Sequence, residues 1–113
     1  MITKKNCVPC KGGIPPLKSK AINKLLKQLE TGWNIIEKKK IKKNYIFSKY
    51  DDAIKFSNLI AILAEQESHH PFIHINYKEV SIILFTHKID GLHENDFILG
   101  AKCDQIYISN KFI

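Results

Sequence analysis

Ile22, Leu25, Leu26 and Leu29 recur three and four positions apart, the spacing of one helix face. Ser19 is the expected N-cap and Gly32 the expected stop. From Trp33 to Ser48 the period changes. β-Branched and aromatic residues flank a lysine-rich middle, WNIIEKKKIKKNYIFS, which predicts a hairpin with Lys38–Lys43 as its turn and flanks. A second helix follows over FSKYDDAIKFSNLIAILAEQESH, with Ala53, Phe56, Ile60 and Leu63 as its apolar stripe. Asp51 and Asp52 suit its N-terminus, where the helix dipole favours negative charge. Pro71 is the expected terminator, since the residue before a proline is pushed out of helical geometry. FIHINY and VSIILFTH then read as two strands joined at Lys78-Glu79, and a polar loop, KIDGLHEN, leads to a last helix over residues 96–112. The order α-β-β-α-β-β-α predicts an α+β fold. Its four-stranded antiparallel sheet would carry the helices on one face.

The chain has 113 residues, enough for a single domain over 1–113 and too few for a second. Residues 1–17, containing CVPCKGGIPPL, read as an extended N-terminal arm. No apolar run reaches the length of a membrane span, and MITKKNCVPCKGG lacks the apolar stretch of a signal peptide. The expected location is the cytoplasm, with the nucleus also open. The net charge is +7, and every basic residue is a lysine. Without arginine, the usual base-reading and phosphate-forking residue is missing, so the charge reads as solvated surface and direct nucleic-acid binding is not expected. Cys7 and Cys10 form a C-x-x-C with no second pair to complete a zinc site. Remote in sequence from every histidine, they are expected to be structural or incidental and nearly silent in catalysis.

Five histidines invite a chemical reading. His70 and His74 have the separation of two metal ligands on a helix, but Pro71 lies between them and strand-like alternation follows. No nearby cysteine completes a set, and Glu65 alone is a thin third ligand, so no metal is expected. Ser68 and Thr86 adjoin histidines without a nucleophile elbow or a third triad member. Proton transfer fits better, since histidine gives and takes protons near neutrality. His69 and His70 stand at a helix end. Glu65 lies four residues before His69 and could orient its ring if the helix holds that far. His87 ends the returning strand of the next hairpin. His74 and His93 read as exposed or packed. On spacing alone, the bland reading of all five as surface or packing residues stays open.

One pattern narrows this. Glu65-x-x-x-His69-His70-Pro71, five residues, Tyr77, nine residues, His87, eight residues and Asp96 resembles the signature of the pterin-4a-carbinolamine dehydratase family. FSKYDDAIKF, THKIDGLHENDF and the CVPCKGGIPPL arm are also similar to segments of that family, so the resemblance spans nearly the whole chain. One departure is Ser68, where many relatives carry aspartate. The resemblance implies dehydration of 4a-hydroxytetrahydropterin to quinonoid dihydropterin and water, with neither cofactor nor metal. It implies His69 and His87 as acids on opposite faces of the ring, His70 as binding residue and base, and Glu65 in support. Ser68, Phe85, Thr86 and Lys88 would line the pterin pocket with the histidines. It further implies a homodimer or homotetramer, expected to be sealed by the apolar residues of the last helix (Phe97, Ile98, Ala101, Ile106 and Ile108). A transcription-factor partner, bound through the same fold, is the alternative function.

Overall fold

A computed structural model describes residues 2–9 and 12–112. Cys10 lies outside the described residues. The described chain forms α1 (Ser19–Leu26), β1 (Asn34–Ile36), β2 (Lys40–Ile46), α2 (Tyr50–Glu67), β3 (Phe72–Asn76), β4 (Glu79–Leu84) and α3 (Glu94–Ser109). Short 3-10 turns occupy Ile2–Lys4 and His87–Ile89. The strands form one antiparallel sheet in the order β1-β2-β4-β3, which is the α+β architecture the pattern predicts.

The alternation along β4 sets the layers. Val80, Ile82 and Leu84 are fully buried on the helix side, while Glu79, Ser81 and Ile83 face outward and are only half covered. Across β2, Ile41 and Tyr45 join the inner face. The predicted stripe of α2 packs down on it, with Ala53, Phe56 and Ile60 fully buried and Leu63 nearly so. Each large apolar side chain buried here contributes roughly 1.5–3 kcal/mol relative to exposure. Helix α3 supplies Phe97, Ile98, Leu99, Ala101 and Cys103 to the same core. It approaches the sheet closely because Gly100 has no Cβ. One placed there would stand 3.3 Å from the Trp33 ring and 3.5 Å from Leu84.

A buried carboxylate ties α3 to the sheet. Asp104 accepts from the Trp33 indole (2.9 Å), the Tyr45 hydroxyl (2.6 Å), the Lys43 ammonium (2.7 Å) and the Glu30 amide (3.1 Å). Burial, with Cys103 and Asp104 adding to it, pushes the Tyr45 hydroxyl far up, so it remains a donor. This cluster explains two departures from the sequence reading. Lys43 lies in β2 as a largely covered ion-pair partner rather than in a solvated turn. The turn itself is tight and earlier, with Glu37 and Lys38 at φ 54° and 60°. Helix α1 ends at Leu26, not near Gly32, because i→i+3 bonds tighten the chain at Gln28 and Leu29 before Glu30 turns toward Asp104. Ser19 is its first residue, and Lys18 takes the cap position without a side-chain bond.

Of the five apolar side chains expected to form a contact surface on the last helix, three are buried in the chain's own core. Phe97, Ile98 and Ala101 are buried, Ile106 is half-buried, and Ile108 is exposed. The edge strand β3 and its turn also expose large apolar residues, Phe72, Ile75 and Tyr77.

Candidate active site

The end of α2 is built to redirect the chain. Ser68 adopts the left-handed conformation at φ 52°. Its amide bonds to Glu65 O (3.3 Å), and the His69 amide reaches back to Ala64 O (3.2 Å). These two bonds form a Schellman turn, with serine where glycine is usual. The helix therefore stops at Glu67, three residues short of the proline expected to end it. The same turn overturns the expected Glu65–His69 pair, because His69 no longer lies one helical turn above Glu65. Glu65 Oε1 instead meets His70 Nε2 at 2.6 Å, in an exposed pair.

His69 is held from elsewhere. Its Nε2 lies 2.6 Å from Asp96 Oδ1, and its side chain is largely covered. Asp96 is fully buried, and its other oxygen accepts from the Thr86 hydroxyl (2.8 Å) and the His93 amide (3.0 Å). The His93 ring in turn accepts from the Asn95 amide at 2.9 Å, so His93 and Asp96 form the capping box of α3. A carboxylate that only accepts fixes the proton of His69 on Nε2 and leaves Nδ1 for another partner.

His87 arrives from the far end of β4. The strand stops at Leu84, sooner than expected, and Thr86 pairs with Gly91 across a closed loop (Thr86 N to Gly91 O, 2.8 Å). His87 begins a 3-10 turn inside that loop, exposed, with its ring centroid 4.1 Å from that of Phe85. His69, His70 and His87 border one cavity of about 610 Å³, together with Ser68, Phe85, Thr86 and Lys88. Glu65 is absent from its lining and touches it only through His70. Tyr77 of the sequence signature lies elsewhere, at the β3–β4 turn, stacked on Tyr50. His74 is exposed on β3. No group of three or more metal-ligating side chains occurs among the described residues.

Sequence reasoning missed the arm. Cys7, Val8 and Pro9 border the same cavity, although they are some sixty residues and more from the histidines in sequence. The Cys7 amide donates to Glu67 Oε1 at 2.8 Å. Burial, aided by the Glu67 charge, pushes the Cys7 thiol up to about 12. Remote in sequence from the histidines, the arm nonetheless borders their cavity. No local pattern could have shown this, because the contacts join distant segments.

Three histidines of an α+β fold thus share one cleft, two of them paired with carboxylates. Comparison with known proteins gives the chain a family. Residues 15–106 match the model of pterin 4 alpha carbinolamine dehydratase. A protein of Rickettsia canadensis is 45% identical over 92% of this chain and 95% of its own length. One of Rickettsia bellii is 48% identical over 91% of each, and one of Rubrobacter xylanophilus is 41% identical over 93% and 97%. All three carry the provisional name pterin-4-alpha-carbinolamine dehydratase. A crystal structure from Brucella melitensis, described as a transcriptional coactivator/pterin dehydratase, superposes with a TM-score of 0.76. It is 28% identical, covering 80% of this chain and 97% of that one. A pterin dehydratase-like protein described as a RuBisCO assembly factor in the alpha-carboxysome shares the fold at 23% identity and a TM-score of 0.60. This chain belongs to the pterin-4a-carbinolamine dehydratase family.

Proposed function

We propose that the protein dehydrates 4a-hydroxytetrahydropterin, such as 4a-hydroxytetrahydrobiopterin, to the quinonoid dihydropterin and water. It thereby returns a spent hydroxylase cofactor to its recycling route. The convergence of His69, His70 and His87 on one cavity carries this reading. The C4a–O bond breaks as an acid protonates the departing hydroxyl. The proton on the neighbouring ring nitrogen passes to a base as the C=N bond forms. Both steps need groups that exchange protons near neutrality, and histidine does so. As an acid His69 carries a proton on both ring nitrogens, Nε2–H donating to Asp96 and Nδ1–H left to donate, and His87 presents an exposed ring from a separate segment. These are the two acids, one for each face of the pterin. His70, braced by Glu65, binds the ring and accepts its proton. Phe85 and Thr86 flank the histidines, while Ser68 and Lys88 border the cavity.

The reading includes self-association into a homodimer or homotetramer. The exposed apolar residues of β3, whose outer edge has no strand partner among the described residues, are better candidates for that contact than the mostly buried apolar face of α3. A partner-binding role is the second reading, favoured by the coactivator description of the Brucella melitensis protein. One assay decides between them. The absorbance of the 4a-carbinolamine is followed with and without protein, and with His69→Ala and His87→Ala. Turnover above the spontaneous rate that both substitutions diminish supports the dehydratase; tight pterin binding without turnover favours the partner-binding role.

A further inference from the structure

The N-terminal arm is bound too specifically to be a loose tail. Val8 and Asn95 exchange two hydrogen bonds, Val8 N to Asn95 Oδ1 at 3.0 Å and Asn95 Nδ2 to Val8 O at 2.6 Å. Asn95 is buried, so its amide is committed to the arm. One residue earlier, the Cys7 amide donates to Glu67 Oε1. The other Glu67 oxygen accepts from Lys102 at 3.0 Å, and Lys102 also reaches Asn6 at 3.2 Å. The Glu67–Lys102 pair is largely covered, with side chains 11% and 15% exposed. Further along, the Leu17 amide donates to Leu92 O at 2.9 Å. Pro16 packs so tightly on Gly91 that a Cβ there would come within 2.5 Å of it.

The anchors coincide with the site. Glu67 directly precedes Ser68 and His69, and Asn95 directly precedes Asp96, the partner of His69. The loop that receives Pro16 and Leu17 also carries His87. Between these anchors, Val8 has its backbone bound on both sides, yet the residue is 57% exposed at the edge of the histidine cavity. Such an arrangement holds an apolar surface ready for a ligand.

Resting on the dehydratase reading, we propose that Cys7–Pro9 form a wall of the substrate cavity, that Val8 packs on the bound pterin, and that Glu67 is the positioning residue that holds this wall in place. The arm binds substrate and takes no part in proton transfer. Removing it therefore weakens binding and leaves the chemical step alone.

The test is KM and kcat for 4a-carbinolamine dehydration by the full chain and by Val8→Ala, Glu67→Ala, Glu67→Gln and the double variant Val8→Ala/Glu67→Ala. Circular dichroism confirms folding, which exposed Val8 does not put at risk. Val8→Ala and Glu67→Ala each raise KM about 3–10-fold with kcat changed less than twofold, the size expected for one lost apolar contact. Glu67→Gln, which keeps an acceptor for the Cys7 amide, falls between wild type and Glu67→Ala. The double variant is no worse than about twofold beyond the weaker single one, because both changes remove the same wall. An active wild type whose KM is unmoved in Val8→Ala and Glu67→Ala overturns the arm's role and leaves the dehydratase intact. So does a loss confined to kcat. A wild type that neither turns over the carbinolamine nor binds 7,8-dihydrobiopterin overturns the functional reading and this proposal with it.

Discussion

Asp96 in the first turn of α3 holds the Nε2 of His69 at 2.6 Å, across twenty-seven residues of sequence. The same carboxylate caps its own helix and secures Thr86. One buried side chain therefore joins the end of α2, the loop after β4 and the start of α3 at the point where the histidines meet.

Asp96→Asn should separate orientation from binding. Asparagine offers one accepting oxygen for three donors, so His69 loses its fixed tautomer. We expect kcat to fall roughly 10–100-fold with KM little changed, and never below the His69→Ala level. Leaving a buried donor unpaired should also cost about 1–3 kcal/mol of stability, read by urea titration. An unaltered kcat in a folded Asp96→Asn protein would mean that His69 needs no orienting partner.

The two acids should divide the substrate's stereoisomers. A general acid is worth about 10²–10⁴-fold. His69→Ala and His87→Ala should therefore each lose rate on one configuration at C4a more than the other, with opposite preferences. His70→Ala should slow both. Turnover of enriched stereoisomers checks this, and equal losses on both isomers by the two variants would place the histidines in series on one path.

Glu67 should make the arm's attachment sensitive to acid. Burial works against its ionisation, but the Cys7 amide and the Lys102 ammonium outweigh burial and hold the carboxyl below its usual 4.5. A carboxyl depressed on folding stabilises the native state above its unfolded value, and that stability is lost as pH falls from about 4.5 through the folded value. Urea midpoints measured downward from pH 6 should drop more steeply for wild type than for Glu67→Gln. Parallel curves would show that the carboxylate contributes nothing in its ionised form.

Ser68 occupies a conformation that glycine adopts without strain. Ser68→Gly should raise stability by about 0.5–1 kcal/mol, the relief of the Cβ less the added freedom of the unfolded chain. Ser68→Val, branched at Cβ, should lower it by about 1 kcal/mol or more. Shifted urea midpoints at constant slope are the readout. A destabilised Ser68→Gly protein would count against the Schellman turn.

What could be read from the chain follows the range of each signal. The stripe of α2 is local and periodic, and it came through as expected in Ala53, Phe56, Ile60 and Leu63, while β4 was legible as a strand but not in which of its residues are buried. The cap of α3 went unread because histidine is not among the preferred N-cap residues, although aspartate three places on completes the box. Glu65 was matched with the wrong histidine because the pairing assumed a helix that continues. A single left-handed residue redirects the chain instead. The lysine run hid Lys43, whose partner Asp104 lies sixty-one residues away. Contacts of that span, like those of the arm with Glu67 and Asn95, leave no trace in spacing.

The Asp104 cluster gives the molecule a built-in reporter. Trp33 is the only tryptophan, is 7% exposed, and donates its indole proton to Asp104. Its emission therefore follows the docking of α3 on the sheet and is not drawn from the histidine cleft, which it does not border. A variant that dims catalysis while Trp33 emission holds its wavelength has lost chemistry; one in which the emission shifts to the red has let water reach the seam between helix and sheet.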